Sequence, residues 1–343
     1  MLFRQLFDEA TWTYTYLIAD PVTKEAALID AVSEQVDRDM TLINELGLNL
    51  KYILDTHAHA DHITGAHGLR KKSGARVVLA KESHAKGVDV EVVHGDELRL
   101  GDMVLEVRAT PGHTNGCLTY VAYENEAKEK PLFAVVGDSI LIRGTGRTDF
   151  QQGSSETLFK SIHEQIFTLP DDTPLYVGHD YKGRMVTTVG EEKAHNPRVG
   201  KGKTVEEYVV IMKNLNLALP RKLAEALPKN MRSGQWAPIL EGELPEVDVD
   251  WALKKEEGIQ FVDVRSEDEF VGDLGHLAHC ENVPLETLKD VAAQWNPRRP
   301  VVLVCRSGKR SLVAVQTLQE LGFDKVASLR GGMLAVKEVQ AAA

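Results

Sequence analysis

Short apolar stretches rich in β-branched and aromatic residues recur through residues 1–200, and their pattern predicts β-strands separated by polar turns. In several of them a histidine or an acid directly follows the apolar run. The stretches are YTYLIAD, EAALID, KYILDTH, ARVVLA, MVLEVRATPGH, CLTYVAY, LFAVVGDSI and LYVGHD. Because residues that follow strands lie at the rim of a sheet, we expect these histidines and acids to gather at one edge.

Helices are predicted between these strands, because apolar residues recur there three and four positions apart. Residues 34–46 have this spacing, and so do the residues after Ser154. Another helix is predicted to begin at Thr204, since Thr204 and Glu207 occupy capping-box positions, and to end before Pro220. The alternation of both patterns predicts a first α/β domain over residues 1–227.

The regular spacing of apolar residues is lost after residue 227 and returns at residue 251 as an alternation of predicted strands and helices. Residues 228–250 contain three prolines, two glycines and several acids without clear periodicity, which predicts a linker. Residues 251–343 then alternate between strand and helix. The segments are IQFVDVR, ETLKDVAAQW, PVVLVC, SLVAVQTLQELGF and KVASL. This alternation predicts a small, doubly wound parallel α/β domain.

The composition and charge of the chain argue against some classes of protein, such as membrane-spanning and nucleic-acid-binding proteins. A chain of 343 residues is long enough for two domains of ordinary size or one large one. Its composition, 43% hydrophobic and 27% charged, is typical of a soluble globular protein. We expect no signal peptide, and no membrane span, because no apolar run approaches about 18 residues. The net charge of −11 argues against binding nucleic acid. Three scattered cysteines predict a reduced, cytoplasmic location, while homo-oligomerisation stays open.

The stretch THAHADH, residues 56–62, concentrates metal-ligating side chains directly after a predicted strand. It contains His57, His59, Asp61 and His62. Comparable positions after other strands hold His113, Asp138 and His179. Imidazole and carboxylate ligands together suit zinc, iron, manganese or nickel, so the ligand types alone predict a metal site without choosing the metal.

HAHADH followed by PGHT, GDS and GHD resembles the metallo-β-lactamase superfamily. This resemblance implies a four-layer αβ/βα sandwich with the metal at one edge of its two sheets. The longer strings LIRGTGRTDFQQG, GHDYKGR and HNPRV are similar to those of the persulfide dioxygenases. These relatives of glyoxalase II oxidise glutathione persulfide to sulfite and glutathione with non-haem iron. The resemblance covers residues 1–225.

The resemblance also implies roles for individual residues. His57, His113 and Asp138 would bind one Fe(II) per chain and leave positions open for the persulfide and O2. The remaining members of the cluster would orient these ligands and hydrogen-bond bound water: His59, Asp61, His62 and His179. The best candidates for binding the charged groups of glutathione are Arg143, Arg147, Tyr181, Lys182 and Arg184.

A second candidate site is the strand, loop and helix PVVLVCRSGKRSLVAVQTLQELG. Its six-residue loop places Cys305 among backbone amides at a helix N-terminus with cations nearby, which lowers the pKa of a thiol. Cys305 and Arg310 are the predicted catalytic residues. The rest of the predicted anion-binding loop is Arg306, Ser307, Gly308 and Lys309.

Residues 250–335 resemble a single-domain rhodanese sulfurtransferase. The resemblance rests on FVDVRSEDEF, the pair Gly275–His276, NVPL, CRSGKRS and LRGGM. Met333 stands where the family often has tryptophan. The resemblance implies that Cys305 takes a sulfur atom from thiosulfate, holds it as a persulfide and passes it to a thiol.

The sequence thus favours a persulfide dioxygenase fused to a rhodanese. Cys305 would transfer sulfur from thiosulfate to glutathione, and the iron site would oxidise the glutathione persulfide with O2. One alternative is a glyoxalase II-like binuclear zinc thioesterase fused to a rhodanese, with Asp61, His62 and His179 as ligands. Another is a non-catalytic sulfur-sensing or binding protein.

Overall fold

The computed structural model describes residues 1–215, 217–218, 220, 222–235, 237–240, 244–254 and 257–342. It separates into two compact units, Met1–Gln235 and Trp236–Ala343. The boundary falls inside the predicted linker, of which residues 236 and 241–243 lie outside the described residues. Within the described part of the chain, no helix has the length and apolar character that crossing a membrane requires.

The first sheet of unit 1 has six strands in chain order, with β1–β3 antiparallel and β3–β6 parallel. The strands are Leu2–Asp8 (β1), Thr13–Ala19 (β2), Glu25–Ile29 (β3), Asn49–Leu54 (β4), Arg76–Ala80 (β5) and Val90–Val92 (β6). Helices Val36–Glu45 (α1) and Ala66–Ser73 (α2) cover its outer face with an apolar cluster that includes Ile43, Ile53 and Leu69.

The second sheet of unit 1 also has six strands, in the order β12-β11-β10-β9-β8-β7. These are Glu97–Leu100 (β7), Met103–Ala109 (β8), Leu118–Tyr123 (β9), Phe133–Gly137 (β10), Pro174–Val177 (β11) and Thr187–Thr188 (β12). Only β10 and β11 pair in parallel; the other neighbours are antiparallel. Helix Ser155–Ser161 (α3) lies between β10 and β11, and Val189–His195 (α4), Val205–Lys213 (α5) and Leu223–Asn230 (α6) follow β12.

The inner faces of the two sheets share one hydrophobic core. A single buried cluster joins Ile18 and Leu54 of the first sheet to Tyr120 and Val135 of the second, and it extends to Tyr208 of α5. Strands β2 and β10 are buried along their whole length, as strands covered on both faces are. Helices therefore flank a two-sheet sandwich, which confirms the predicted αβ/βα architecture.

Side chains cap the starts of two helices, and the capping box at Thr204 was predicted from the sequence. The Thr204 side chain accepts a hydrogen bond from Glu207 N, and Glu207 Oε2 accepts one from Thr204 N at 2.9 Å. Ser154 Oγ accepts from Thr157 N at the start of α3. Helix α5 ends at Lys213, earlier than Pro220 suggested.

The start of the predicted linker is folded against unit 1. Helix α6 includes Pro228 and ends at Asn230. Beyond it, Lys86 N donates to Met231 O and Ser233 Oγ donates to Lys86 O, both at 2.8 Å. The prediction of a tether is therefore wrong for residues 228–235, because the helix that begins at Leu223 continues through Pro228, a residue that usually ends a helix.

Unit 2 is built on a five-stranded, all-parallel sheet in the order β13-β17-β16-β14-β15. Its strands are Glu246–Val247 (β13), Gln260–Asp263 (β14), Cys280–Asn282 (β15), Val301–Val304 (β16) and Val326–Leu329 (β17). Its helices are Val249–Leu253 (α7), Glu267–Phe270 (α8), Leu285–Ala292 (α9), Lys309–Glu320 (α10) and Gly332–Ala342 (α11). Separate apolar clusters cover the two faces, as the predicted doubly wound domain requires.

Candidate metal and sulfur-transfer sites

The metal-ligating loop begins at the end of β4 and is anchored by a carboxylate from the neighbouring strand end. Asp30 follows β3 and accepts hydrogen bonds from Thr56 N at 2.6 Å and Thr56 Oγ1 at 2.9 Å. The Thr56 hydroxyl donates its proton to Asp30, so it is an acceptor for His57 Nδ1, 3.0 Å away. This arrangement leaves the Nε2 lone pair of His57 for a metal.

Three strand ends bring His57, His113 and Asp138 together. One ligand atom from each of them lies within 4.8 Å of the other two. His113 Nδ1 lies 2.7 Å from Arg147 O and must donate to that carbonyl, so its Nε2 is also left for a metal. Two imidazoles and one carboxylate that converge in this way fit a divalent transition-metal ion.

The charge states of this triad suit metal binding. Burial and the neighbouring imidazoles lower the pKa of His57 well below its usual range, so the ring is neutral. Burial by itself would raise the pKa of Asp138, but the adjacent His179 and its hydrogen bond hold that pKa below the usual range. The Asp138 carboxylate is therefore ionised.

His179 lies between two carboxylates, and neither of its ring nitrogens has a lone pair available to bind a metal. Its Nδ1 lies 2.7 Å from Asp138 Oδ1, and its Nε2 lies 2.8 Å from Asp61 Oδ2. Burial opposes a charge on the ring, yet Asp138 and Asp61 together raise the pKa of His179 well above its usual range. With both nitrogens protonated, the ring orients the Asp138 carboxylate.

His59, Asp61 and His62 form a second group whose ligand atoms lie within 4.8 Å of one another. His62 Nδ1 contacts Asp61 Oδ2 at 3.0 Å, and His59 Nε2 contacts Asp30 Oδ1 at 3.1 Å. The opposite ring nitrogens, His59 Nδ1 and His62 Nε2, are buried and have no hydrogen-bond partner in the described structure. This group could therefore hold a second ion.

The second site lies in unit 2, at the carboxyl end of β16. Cys305 Sγ is 3.4 Å from both the backbone N and the Oγ of Ser311. Burial would raise the pKa of the thiol, but these hydrogen bonds and the amides of Ser307 and Gly308 lower it overall. The loop is therefore built to stabilise an anionic sulfur.

Neighbouring elements hold the cysteine loop in place. Arg310 forms a two-pronged ion pair with Glu269 of α8, at 2.6 and 2.7 Å. Behind the loop, Met333 N donates to Cys305 O at 2.9 Å. A Cβ at Gly332 would lie 2.2 Å from Cys305 O, so the close approach of α11 requires glycine there. Arg306 and Lys309 are exposed beside the loop.

Comparison with known proteins assigns each of the two units to a family. Residues 13–179 match the metallo-beta-lactamase superfamily, and residues 248–338 match the rhodanese-like domain. The persulfide dioxygenase ETHE1, mitochondrial, of Homo sapiens is 48% identical over 239 residues, which span 69% of this chain and 91% of that protein. The chain belongs to the persulfide dioxygenase family. Its second unit is a rhodanese-like domain.

Solved structures agree with this assignment. The crystal structure of ETHE1 from Myxococcus xanthus has a TM-score of 0.65 and 49% identity, covering 68% of this chain and 100% of that chain. A metallo-beta-lactamase from Staphylococcus aureus subsp. aureus COL has a TM-score of 0.64 over 96% of this chain and 98% of its own, at 24% identity. The latter similarity shows the fold alone.

In this member of the persulfide dioxygenase family, carboxylates of the chain itself already pair with the predicted glutathione-binding arginines. Arg143 pairs with the buried Glu192, Arg147 with Asp149, and Arg184 with Asp180. The other two candidates, Tyr181 and Lys182, are exposed; the Tyr181 ring stacks 6.4 Å from His179.

Asn230 is a residue of this site that the sequence did not reveal. From the end of α6 its Nδ2 donates to His59 O at 2.9 Å and to His62 O at 2.7 Å, while its Oδ1 accepts from Thr64 N. It thereby fixes the backbone of the metal-ligating loop. The segment LPKN carries no motif, so only the fold identifies this contact.

Proposed function

We propose that unit 1 oxidises glutathione persulfide with O2, using one Fe(II) held by His57, His113 and Asp138. The observation that carries this proposal is the convergence of two imidazoles and one ionised carboxylate, with His179 hydrogen-bonded to the carboxylate. A set of two imidazoles and one carboxylate would hold Fe(II) and leave coordination positions open for substrates. The identity of 48% to a protein named persulfide dioxygenase supports the choice of reaction.

In this proposal, glutathione persulfide, O2 and water give glutathione, sulfite and two protons. Bound Fe(II) supplies the redox chemistry that joins O2 to the persulfide sulfur. The residues of the chain position that centre: Arg147 O fixes the His113 ring, and His179 holds its protons between Asp138 and Asp61. Tyr181 and Lys182, exposed near His179, stay our candidates for contact with glutathione, and so do Arg143, Arg147 and Arg184.

We propose that unit 2 is a thiosulfate sulfurtransferase. The Cys305 thiolate attacks the outer sulfur of thiosulfate; a new S–S bond forms, the old one breaks, and sulfite leaves with the electron pair. The thiolate of glutathione then attacks the outer sulfur of the Cys305 persulfide, which yields glutathione persulfide and regenerates Cys305. Ser311 and the loop amides stabilise the anionic sulfur in both steps. Arg310, at the end of the same loop, is paired with Glu269.

The product of the second unit is the substrate of the first. Joining two such enzymes in one chain raises the local concentration of the shared intermediate. The human relative is named mitochondrial; a cytoplasmic location stays our prediction for this chain.

Metal analysis combined with O2 uptake tests the function of unit 1. The purified protein should contain one iron per chain, and adding glutathione persulfide should start rapid O2 consumption with matching release of sulfite. Two zinc ions per chain without O2 uptake would overturn the proposal.

A binuclear zinc thioesterase is the second candidate, and one observation favours it. His59 Nδ1 and His62 Nε2 are buried and have no hydrogen-bond partner among the described residues, as the ligand atoms of a second ion would be. In that case the protein would bind two zinc ions and hydrolyse glutathione thioesters instead of consuming O2.

A further inference from the structure

Two threonines at the turn between β1 and β2 connect a remote carboxylate to the metal site. Thr13 Oγ1 lies 3.1 Å from His179 Nε2. It also lies 2.8 Å from Thr11 Oγ1, which in turn lies 2.6 Å from Asp8 Oδ2. At the other end, His179 Nδ1 contacts Asp138 Oδ1 at 2.7 Å. A chain of hydrogen bonds thus runs from Asp8 to the proposed metal ligand Asp138.

The carboxylate at the remote end determines the direction of the hydrogen bonds in this chain. A carboxylate only accepts, so Thr11 donates its hydroxyl proton to Asp8. Because that proton is engaged, Thr11 Oγ1 accepts the hydroxyl proton of Thr13. Thr13 Oγ1 therefore offers His179 lone pairs and no proton, and it accepts from the Nε2–H of that ring. The same oxygen also lies 3.4 Å from His62 Nδ1.

Asp8 is well suited to be the acceptor at the end of the chain. It is buried, with 3% of its surface exposed. Its Oδ2 also accepts from Thr11 N at 2.9 Å, and its Oδ1 accepts from Gln35 Nε2 at 2.7 Å. Burial would raise the pKa of Asp8, but the hydrogen bonds from Thr11 and Gln35 lower it overall. The carboxylate is therefore ionised.

The turn that carries the two threonines has a strained backbone. Trp12, between them, has a φ of 60°, which a large aromatic residue rarely adopts. Such a conformation costs free energy and persists only where surrounding contacts enforce it. Asp8 holds the turn through Thr11. Tyr14 N donates to Gly178 O at 2.9 Å and ties the start of β2 to the loop after β11.

We propose that Thr13 and Thr11 are positioning residues of the metal site and act through His179. Because Thr13 offers His179 only an acceptor, the Nε2–H of the ring stays directed at Thr13 and Asp61. The Nδ1–H then stays directed at Asp138, and the carboxylate is kept in one orientation for metal binding. The inference rests on the proposed iron site of unit 1 and extends it to the turn between β1 and β2.

Variants of similar volume test this proposal in the full chain. Thr13→Val removes the hydroxyl, and Thr13→Ser restores it. Thr11→Val breaks the chain one hydrogen bond further from the metal. Thr173→Val is the matched control, because Thr173 is also a buried threonine of unit 1 and its Oγ1 has no hydrogen-bond partner in the described structure. The measurements are anaerobic Fe(II) titration of the metal-depleted protein, thermal unfolding, and O2 uptake with glutathione persulfide.

We expect Thr13→Val to weaken Fe(II) binding at least tenfold and to lower kcat, while the KM for glutathione persulfide stays within twofold. Thr13→Ser should bind Fe(II) within threefold of the wild type, and Thr173→Val should match it. Wild-type affinity in Thr13→Val would overturn the proposal, and so would a loss that Thr13→Ser does not restore. Should Thr13→Val not fold, Thr11→Val decides in its place, with an expected loss of about threefold and the same contrary outcome.

The double variant Thr11→Val/Thr13→Val distinguishes a chain from two independent structural roles. In a chain, Thr11 acts only through Thr13, so the double variant should bind Fe(II) as weakly as Thr13→Val alone. Losses that multiply would overturn the chain. Fe(II) binding needs neither persulfide nor O2. A wild-type protein that consumes no O2 with glutathione persulfide would therefore refute the proposed function, whereas equal Fe(II) affinities in all variants would refute only the positioning role.

Discussion

Hydrogen-bond partners determine what each histidine around the metal loop can do. His57 and His113 both have Nδ1 engaged and Nε2 left for a ligand role. His179 resembles them in sequence, yet both of its nitrogens contact carboxylates. Residue type alone therefore does not distinguish a ligand from a group that orients one.

Asp138→Asn tests the proposed ligand set at this scale. The change removes the charge of the carboxylate ligand, so we expect most of the iron to be lost, as measured by elemental analysis of the purified variant. His62→Ala is the comparison, because His62 lies outside the proposed triad and should cost less iron. Equal losses from the two variants would give His62 a ligand role.

Cys305 should show a pH profile that its hydrogen bonds determine. Alkylation requires the thiolate, so the rate should be high above the Cys305 pKa and fall as the pH drops through it. Ser311→Ala removes one donor to the anion and should move the midpoint to higher pH by about one unit, since a hydrogen bond to a charge contributes roughly 1.5 kcal/mol.

The rate of iodoacetamide labelling between pH 5 and 10 measures this shift. Burial raises the pKa of Cys117 to about 12, so that thiol should not react in this range. Thr317→Ala removes a hydroxyl from a half-buried position on the same helix, where it donates to Val313 O, and is the matched control. A midpoint that does not move in Ser311→Ala would show that the loop amides alone set the pKa.

At the level of elements, α6 connects the end of unit 1 to the metal loop. Asn230→Ala removes the donors to His59 O and His62 O and leaves two buried carbonyls without them. We expect metal affinity to fall roughly 10–100-fold, as happens when groups that support ligands are removed. Iron titration of the metal-depleted protein measures this, with Glu225→Ala on the same helix as control; unchanged affinity in Asn230→Ala would mean that the loop holds its shape without α6.

Helix α11 supports the cysteine loop through the close approach of Gly332. In Gly332→Ala the new methyl group would collide with Cys305 O, which should destabilise unit 2 by about 1–3 kcal/mol and displace the loop. Gly322→Ala is the matched control, because that glycine also has positive φ but has nothing within 4 Å of the added atom. We expect the unfolding temperature and the rate of thiosulfate-to-glutathione transfer to fall further in Gly332→Ala than in the control. Equal losses in both variants would mean that backbone strain alone causes them.

At the scale of the whole molecule, a mutation in one proposed site should leave the reaction of the other site unchanged. The residues of each proposed site lie within one compact unit. Cys305→Ser should abolish sulfur transfer from thiosulfate and leave O2 uptake with added glutathione persulfide unchanged. Assays of both reactions on the same preparation decide this. Loss of both activities in a folded variant would contradict two independent sites.

The predicted fold was confirmed largely because its signals are local. Short apolar runs predicted the strands, and the capping box at Thr204 marked the start of α5. The motifs around His57 and Cys305 identified both families, since a metal loop and a sulfur-binding loop require fixed residue types at fixed spacing. The linker prediction was wrong for residues 228–235, where Asn230 acts through contacts to residues more than 150 positions away in the chain.

The sequence by itself thus determined the two families, the αβ/βα and rhodanese-like folds, and the residue types available for chemistry, because these follow from periodicity and short motifs. Only the tertiary structure decided how these residues are used. It pairs Arg143 with Glu192, places His179 between two carboxylates, and joins Asn230 of α6 to the metal-ligating loop. Hydrogen bonding and burial depend on distances between remote segments, and those distances exist only once the chain has folded.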